Sequence, residues 1–460
     1  MIKLPTPQSQ TLAVDIDYYS LFKTIQKQTE TSYMFESLSE VRHQDNFVSI
    51  GFDPVFTVSA IQNTLIFEGD LSLIFPNIKA NKHVLEVENP YFYLREILPQ
   101  NLNCKTRQGG LIGYFGYETI NYFEPSICLL EHIDFEQFKL GFYQDGLIFD
   151  NTTGELEYYY YLQDRSNLVL EFLKQETILD KKLEKVEFFG NNITEAEHKQ
   201  IIEKTLEQIN LGNSFQVEVG LKTKYNIQGD KFLIYDKLRE INPSPFMFYC
   251  QFGDQIMFGA SPEILISCVN NQILTTPVAG TIERSLDLVK DRKLARTLLS
   301  DPKEIAEHNM LVDLHRNDLG KIAQFGTVRI DSLMYIIKFS HVQHIVSDVT
   351  AIKDDKYDSL DVLACILPGG VLTGAPKIET IKIIAGNEKE PRGPYGGAVG
   401  RFSFNGDCAF ALPIRSLFCK GDNCFSQTCG GVVLDSQPQK EYDEINRKSQ
   451  AMQNVIQSLC

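Results

Sequence analysis

The sequence predicts an α+β protein. Helical and β-prone segments follow one another without the regular strand-helix-strand rhythm of a doubly wound sheet. Many β-prone runs are joined by short Gly-Asp, Ser-Pro and Asn-Asn turns, as antiparallel neighbours are. At 460 residues, 43% of them hydrophobic, the chain can bury one large core or two medium ones, and disorder is not expected to dominate.

Taken in order, residues 11–30 read as a helix around Tyr18, Leu21, Phe22 and Ile25. Residues 32–40 form a short β-prone run that passes through Glu36 and Ser37. Residues 48–74 hold several strand-like pieces with turn signals at Gly51, Asn63 and Gly69-Asp70. The Gly- and Tyr-rich run 109–122 suits a close-packed turn and strand; it lacks the Lys-Ser/Thr of a phosphate loop. Residues 140–162 read as a β meander turning at 151–154. Residues 163–190 become charged, Lys-rich and helical, which suggests a boundary. The expected organisation is an N-terminal region at 1–165, a linker at 166–192 and a larger domain at 193–456.

Within that larger domain a helix runs from Thr194 through Ile209 to an Asn-Leu-Gly stop, and 213–224 is a strand. A helix near 231–241 stops at Asn242-Pro243-Ser244-Pro245, and consecutive strands follow to about residue 284. Further strands are expected at 327–330 and 341–349, then a helix near 357–366 and a glycine-dense tail.

Two helices stand out. Asp301 can cap the first, Pro302 suits its opening position, and Ile305, Leu311, Leu314 and Ile322 are spaced for one buried face. It carries Glu304 and Glu307 one turn apart. Near the C-terminus Pro438 opens a second helix that carries Glu441 and Glu444 at the same spacing. Two such pairs could hold a hard cation such as Mg²⁺ between them. The pattern alone also suits a capping glutamate at Glu304 and a surface pair of Glu444 with Lys448.

The formal charge of -16 argues against nucleic acid or an anionic membrane as a main partner. No apolar run is long enough to span a membrane, and the opening MIKLPTPQSQ has no signal-peptide core. The ten cysteines form no C-x-x-C pair and are expected to be reduced thiols in a cytoplasmic protein.

The run LPGGVLTGAPKIETIKIIAGNEKEPRGPYGGAVGRFSFNG (367–406) is more specific. With PIRS (413–416), QTCGGVVLDSQPQKEYDEINRK (427–448), DPKEIAEHNMLVDLHRNDLG, SPE (261–263) and AGT (279–281), it resembles the chorismate-binding enzyme family. The resemblance is strong over about 190–455 and weaker before it. It implies a sandwich of two large, mainly antiparallel sheets with helices outside and the site between the sheets.

The resemblance also implies roles. Glu307 and Glu444 match Mg²⁺ ligands, assisted by Glu304 and Glu441. Arg415 and Tyr395 match residues that hold the enolpyruvyl carboxylate of chorismate. Gly280, Thr281, Cys429, Gly430, Gly431 and Lys448 match substrate contacts. Glu263 matches the general acid for the departing 4-hydroxyl, and His344, three residues after His341, matches a histidine used in eliminating pyruvate. Ser37, Pro245, Phe246 and Met247 match a feedback pocket for L-tryptophan.

Within the family, Ala279 stands where many aminodeoxychorismate-forming members carry a nucleophilic lysine. Gln216 stands where isochorismate- and salicylate-forming members carry a lysine base, and an amide cannot activate water. Gln216 thus favours ammonia as the nucleophile, and Ala279 favours the anthranilate-forming branch, a lyase activity in tryptophan biosynthesis. Ammonia would come from a separate glutamine amidotransferase subunit, since no such segment is recognisable here. Val371, in place of threonine, and Cys429 and Gly430, in place of Gly-Ala, depart from that branch, and the missing threonine hydroxyl keeps the aminodeoxychorismate-forming branch as the alternative. A silent binding subunit is the reading of another class; the intact set of glutamates, Glu263, His344 and Arg415 argues against it.

Overall fold

The computed structural model describes residues 2–14, 16–39, 46–99, 103–175, 182–339 and 342–459. Among the described residues, two antiparallel sheets of 12 strands each form a sandwich. One sheet runs from Gln8–Val14 at one edge, through Thr31–Glu36, Phe246–Phe252, Gln255–Ser261, Ser416–Lys420 and Asn423–Val432, to Gln216–Gln228 and Lys185–Asn191. The other runs from Val278–Glu283, through Val342–Ile352, Gln272–Thr275, Ile264–Val269, Cys408–Ala411 and Ala398–Ser403, to Gly110–Phe115, Phe138–Tyr143 and the hairpins at 56–86. Both sheets draw strands from either side of residues 166–192.

Burial explains the layering. The largest apolar cluster lies between the sheets and contains Phe115, Phe138, Phe402, Phe410, Phe418 and Phe425. A second cluster covers the outer face of the first sheet with the helices Tyr18–Gln28, Ser166–Leu173, Phe232–Ile241 and Pro438–Gln457. A third joins Val217, Val219 and Leu221 to the helices Glu195–Asn210 and Lys377–Asn387. Side chains alternate along a strand, so Gln216, Glu218, Gly220 and Lys222 leave the opposite face, toward the space between the sheets.

The helix Glu195–Asn210 starts where expected: Thr194 closes a capping box with Glu197, and Gly212 follows with φ of 80°. Other expectations need correction. Residues 11–14 belong to the strand Gln8–Val14, which pairs with Glu155–Tyr160; the helix begins only at Tyr18, where Asp17 caps it. Gly51 lies inside the strand Phe47–Phe52, where a Cβ would strike the Tyr33 ring; Asp53 takes the turn with φ of 43°. The linker is not wholly helical, since Lys185–Asn191 is a strand; residues 176–181 of that run lie outside the described residues. Cys419 and Cys424, expected as thiols, sit directly opposite each other in a hairpin, Cα atoms 4.1 Å apart, and are joined as a disulfide. The other described cysteines form no disulfide. No helix among the described residues is long and apolar enough to cross a membrane.

Candidate active site

Each sheet places a glycine beside a carboxylate of one of the two Glu-x-x-Glu helices. The strand Val278–Glu283 bulges between Ala279 and Thr281, and Gly280 takes φ of 67° there. The helix Pro302–Gly320 begins beside this bulge, with Asp301 accepting hydrogen bonds from the backbone of Lys303 and Glu304. A Cβ on Gly280 would lie 2.9 Å from Glu304 Oε2, and the positive φ there favours glycine. In the other sheet, a Cβ on Gly430 would lie 4.0 Å from Glu441 Oε2, carried by the helix Pro438–Gln457. The buried stripe of the first helix differs from the expected one. His308, Leu311, Val312, His315, Asp318 and Leu319 face inward, while Ile305 and Leu314 are half-buried. Its polar members are paired: His308 Nε2 with Ser347 Oγ at 2.6 Å, His315 Nδ1 with Thr275 Oγ1 at 2.8 Å, and Asp318 with Lys377 at 2.6 Å.

The glutamates crowd one another. Burial and then the neighbouring carboxylate of Glu307 push Glu304 upward in pKa. Glu307 and Glu441 also rise, chiefly through burial, with neighbouring carboxylates adding to it and Lys303 opposing it. Against the opposing effect of burial, Lys448 holds Glu444 below its ordinary value. The ion pairs are Lys303 with Glu307 at 3.6 Å and Lys448 with Glu444 at 2.8 Å. Among the described residues no three His, Cys, Asp or Glu side chains converge as a ready-made metal cage. Hard oxygen donors that are short of positive charge are nonetheless the donor chemistry that Mg²⁺ takes.

Glu263, His344 and Arg415 form a second group. Glu263 is buried, and burial pushes its carboxyl up to about 8 against the Val278 N–H and the nearby Arg415 charge. His344 lies opposite Thr281 in the strand register. Its Nδ1 is 2.9 Å from the Gly280 carbonyl and 3.0 Å from Thr281 Oγ1. A carbonyl can only accept, so Nδ1 carries the proton and Nε2, 3.5 Å from Arg415, is the free base. Burial, with Arg415 beside it, holds the imidazole at about 4, so it is neutral at physiological pH. Arg415 has φ of 51°, and among the described residues its half-buried guanidinium forms no ion pair. A half-buried guanidinium that forms no ion pair suits an incoming anion.

Tyr395 is buried, its hydroxyl bonded to the Cys429 thiol. Lys448 Nζ donates to the Cys429 carbonyl at 3.3 Å, which brings Cys429, Gly430 and Lys448 together. Gly431 lies beneath Glu218: a Cβ there would be 2.7 Å from Glu218 Oε1. Glu218 is a residue the sequence reading missed. Its signal was a polar side chain at alternate positions of an otherwise apolar strand, QVEVGLK. Arg392 was missed as well. Fully buried, it donates to Glu388 at 2.8 and 2.6 Å, to the Leu372 carbonyl at 2.6 Å and to the Glu218 carbonyl at 2.8 Å, and it covers the Tyr117 ring. It ties three site-lining segments to one guanidinium.

The expected feedback residues lie elsewhere, at the ends of two paired strands. Met247 pairs with Glu36, and the Leu38 N–H donates to the Ser244 carbonyl at 3.1 Å, so Ser37 lies beside Pro245, Phe246 and Met247. Glu36 itself is buried and takes hydrogen bonds from Tyr18, Tyr235 and both nitrogens of an Arg239 fork. Residues 40–45, which follow, and His341 lie outside the described residues.

A family model described as chorismate binding enzyme matches residues 30–454. Over 459 residues, covering 99% of this chain and 96% of the relative, the sequence is 41% identical to "Anthranilate synthase component 1" of Leptospira biflexa. It is 36% identical over 363 residues, 76% of this chain and 77% of the relative, to "Aminodeoxychorismate synthase component 1" of Bacillus subtilis. The crystal structure of anthranilate synthase component I from Streptococcus pneumoniae superposes with a TM-score of 0.79 at 29% identity, covering 90% of this chain and 93% of that one.

Proposed function

The chain belongs to the chorismate-binding enzyme family, and from that premise we propose that it is component I of an anthranilate synthase, converting chorismate and ammonia to anthranilate and pyruvate. The observation that carries the reading is the joint placement of Glu263, His344 and an unpaired Arg415 beside the bulge at Gly280. The Arg415 guanidinium takes the enolpyruvyl carboxylate, and Tyr395 supports it. Glu263, protonated at neutral pH, gives its proton to the departing 4-hydroxyl as ammonia bonds to C2. His344 Nε2 then acts as the base for loss of pyruvate.

Glu307 and Glu444, assisted by Glu304 and Glu441, would hold Mg²⁺. The ion would neutralise the substrate's ring carboxylate against this acidic surface and polarise the ring. Lys448 and the open backbone at Gly280, Gly430 and Gly431 keep that carboxylate's approach clear. Ammonia is supplied by a glutamine amidotransferase subunit, as the component numbering of the relatives supports. The proposal includes inhibition by L-tryptophan at Ser37, Pro245, Phe246 and Met247, and a cytoplasmic location, as suits amino-acid biosynthesis.

Val371 and the 36% identity to an aminodeoxychorismate synthase component support a second reading, amination at C4 with the enolpyruvyl group retained. One assay separates the two. Purified chain with chorismate, Mg²⁺ and ammonium chloride at mildly alkaline pH is expected to give fluorescent anthranilate. An aminated product that keeps its enolpyruvyl group, seen by mass, with no anthranilate, overturns the first reading and supports the second.

A further inference from the structure

Arg401 has no task in the reading above. It lies on the strand Ala398–Ser403, where it pairs with Ile112 and Ala409, and it is only 8% exposed. Its Nε is buried with no hydrogen-bond partner, and among the described residues its guanidinium forms no ion pair. A guanidinium keeps its proton, so this buried charge cannot be relieved by neutralisation. Asp407, a carboxylate whose charge reaches it, is already engaged by Thr106 Oγ1 at 2.6 Å, Asn405 Nδ2 at 2.8 Å and the Asn270 N–H at 2.9 Å. From its own sheet Arg401 faces the buried Tyr33 and Tyr159 of the other, whose phenols lie within reach of its charge. The Tyr159 hydroxyl, and that of Tyr143, whose ring meets Tyr33 edge-on at 4.8 Å, are also buried without hydrogen-bond partners. Arg107, half-buried with its guanidinium 4.5 Å over the Phe47 ring, adds a second positive charge that Asp150 partly offsets. The ground around Arg401 runs on into the expected feedback residues. Tyr33 and Phe35 leave one face of Thr31–Glu36 with their rings 5.0 Å apart, and Ser37 follows on that face. Phe35 pairs with Ser49 and Phe248, and continuing that register by two residues sets Ser37 between Phe47 and Phe246. Aromatic walls, open hydroxyl donors and a guanidinium that lacks an anion suit a small carboxylic acid with an aromatic body.

We propose that Arg401 binds the carboxylate of an aromatic acid held between the sheets, with the Tyr143 and Tyr159 hydroxyls donating beside it, and that L-tryptophan is that acid. The inference deepens the reading of inhibition by L-tryptophan and rests on it for the identity of the acid. Anthranilate carries the same chemistry, an aromatic ring with a carboxylate, and is the other source to be separated. Arg401 is distinct from Arg415, which stands beside His344 at the Gly280 bulge. A carboxylate on Arg401 would turn an uncompensated charge into a pair at the face between the sheets. It would tie Ala398–Ser403 of one sheet to Tyr33 and Tyr159 of the other. Tyr395, assigned to the substrate's enolpyruvyl carboxylate, precedes that strand by three residues, so a ligand on Arg401 bears on the substrate's seat through a short stretch of backbone.

The test is calorimetric binding to the full chain of L-tryptophan, of tryptamine, which keeps the ring and the amine without the carboxylate, and of anthranilate. The parent, Arg401→Met and Arg401→Lys are compared, with melting temperature measured alongside. The parent is expected to bind tryptophan at least about tenfold more tightly than tryptamine. Arg401→Met is expected to lose at least about tenfold in tryptophan affinity and to bring the two ligands within about threefold of each other, while Arg401→Lys keeps part of the preference. A purely structural role for Arg401 would weaken both ligands alike and leave their ratio unchanged, which overturns the proposal. It is equally overturned if the parent binds tryptamine as tightly as tryptophan, a comparison that needs no variant to fold, or if tryptophan affinity in Arg401→Met stays within about twofold. If the parent binds anthranilate but no tryptophan, and Arg401→Met loses that binding, the carboxylate site stands and the tryptophan reading fails. Binding of neither acid to the parent overturns both.

Discussion

Glu263 shows how burial turns an ordinary carboxylate into an acid that works at neutral pH. With the folded-state value raised from 4.5 to about 8, the folded chain holds a proton that the unfolded chain releases. Its contribution to stability is therefore full below about pH 4.5 and is lost as pH rises through about 8. Glu263→Gln is expected to lower kcat by roughly a hundredfold or more and to abolish the alkaline fall of kcat above about pH 8. The same variant should melt higher than the parent at pH 9 and lose that advantage at pH 5, which thermal unfolding at the two pH values would check. At this scale the motif blocks named Glu263, His344 and Arg415. They did not reveal that His344 must be protonated on Nδ1, because the carbonyl that decides it, at Gly280, reaches it through strand pairing. Glu218 escaped notice because a glutamate in a strand looks like surface until the partner sheet is known to cover it.

The two Glu-x-x-Glu helices were readable because their starts are chemical. Asp301 with Pro302, and Pro438 alone, mark first turns that owe nothing to tertiary context. Which face is buried was less legible. Ile305 and Leu314 follow the apolar spacing, yet the inward stripe is completed by His308, His315 and Asp318, each of which has a partner on another element. Hydrophobicity patterns cannot foresee polar groups whose partners are supplied by the fold. The short run at 11–14 was misread for a related reason: its partner strand Glu155–Tyr160 lies far along the chain. The helices carry their own prediction. Glu307→Gln and Glu444→Gln are each expected to cut Mg²⁺-dependent turnover by roughly a hundredfold or more while leaving the helical circular dichroism intact. Undiminished turnover in both would remove the metal assignment.

Across the whole molecule, the α+β class followed from the mixture of elements, and the sandwich followed from the resemblance. The strand order lay beyond either, since it depends on pairings between distant segments. Thr31–Glu36 lies between Phe246–Phe252 and Phe47–Phe52, and Gly110–Phe115 pairs with Ala398–Ser403. This interleaving joins the expected feedback residues to the same sheet as Glu218, Cys429 and Gly430, the framework through which the proposed inhibition by tryptophan would act. Ser37→Phe is expected to weaken tryptophan inhibition at least about tenfold, with turnover in the absence of tryptophan within about twofold of the parent. Inhibition curves at fixed chorismate would measure it, and unchanged inhibition would detach these residues from feedback.

The interleaved sheets also bear on how the chain is made. Gly110–Phe115 leaves the ribosome well before Ala398–Ser403 exists, and at about 5–20 residues per second that delay is on the order of tens of seconds. Throughout it, one edge of a hydrophobic strand has no native neighbour, a state that invites pairing with another nascent chain. Neither half can finish folding first and shelter the other. The yield of active protein should therefore depend on translation speed and on chaperones that hold the early strands apart.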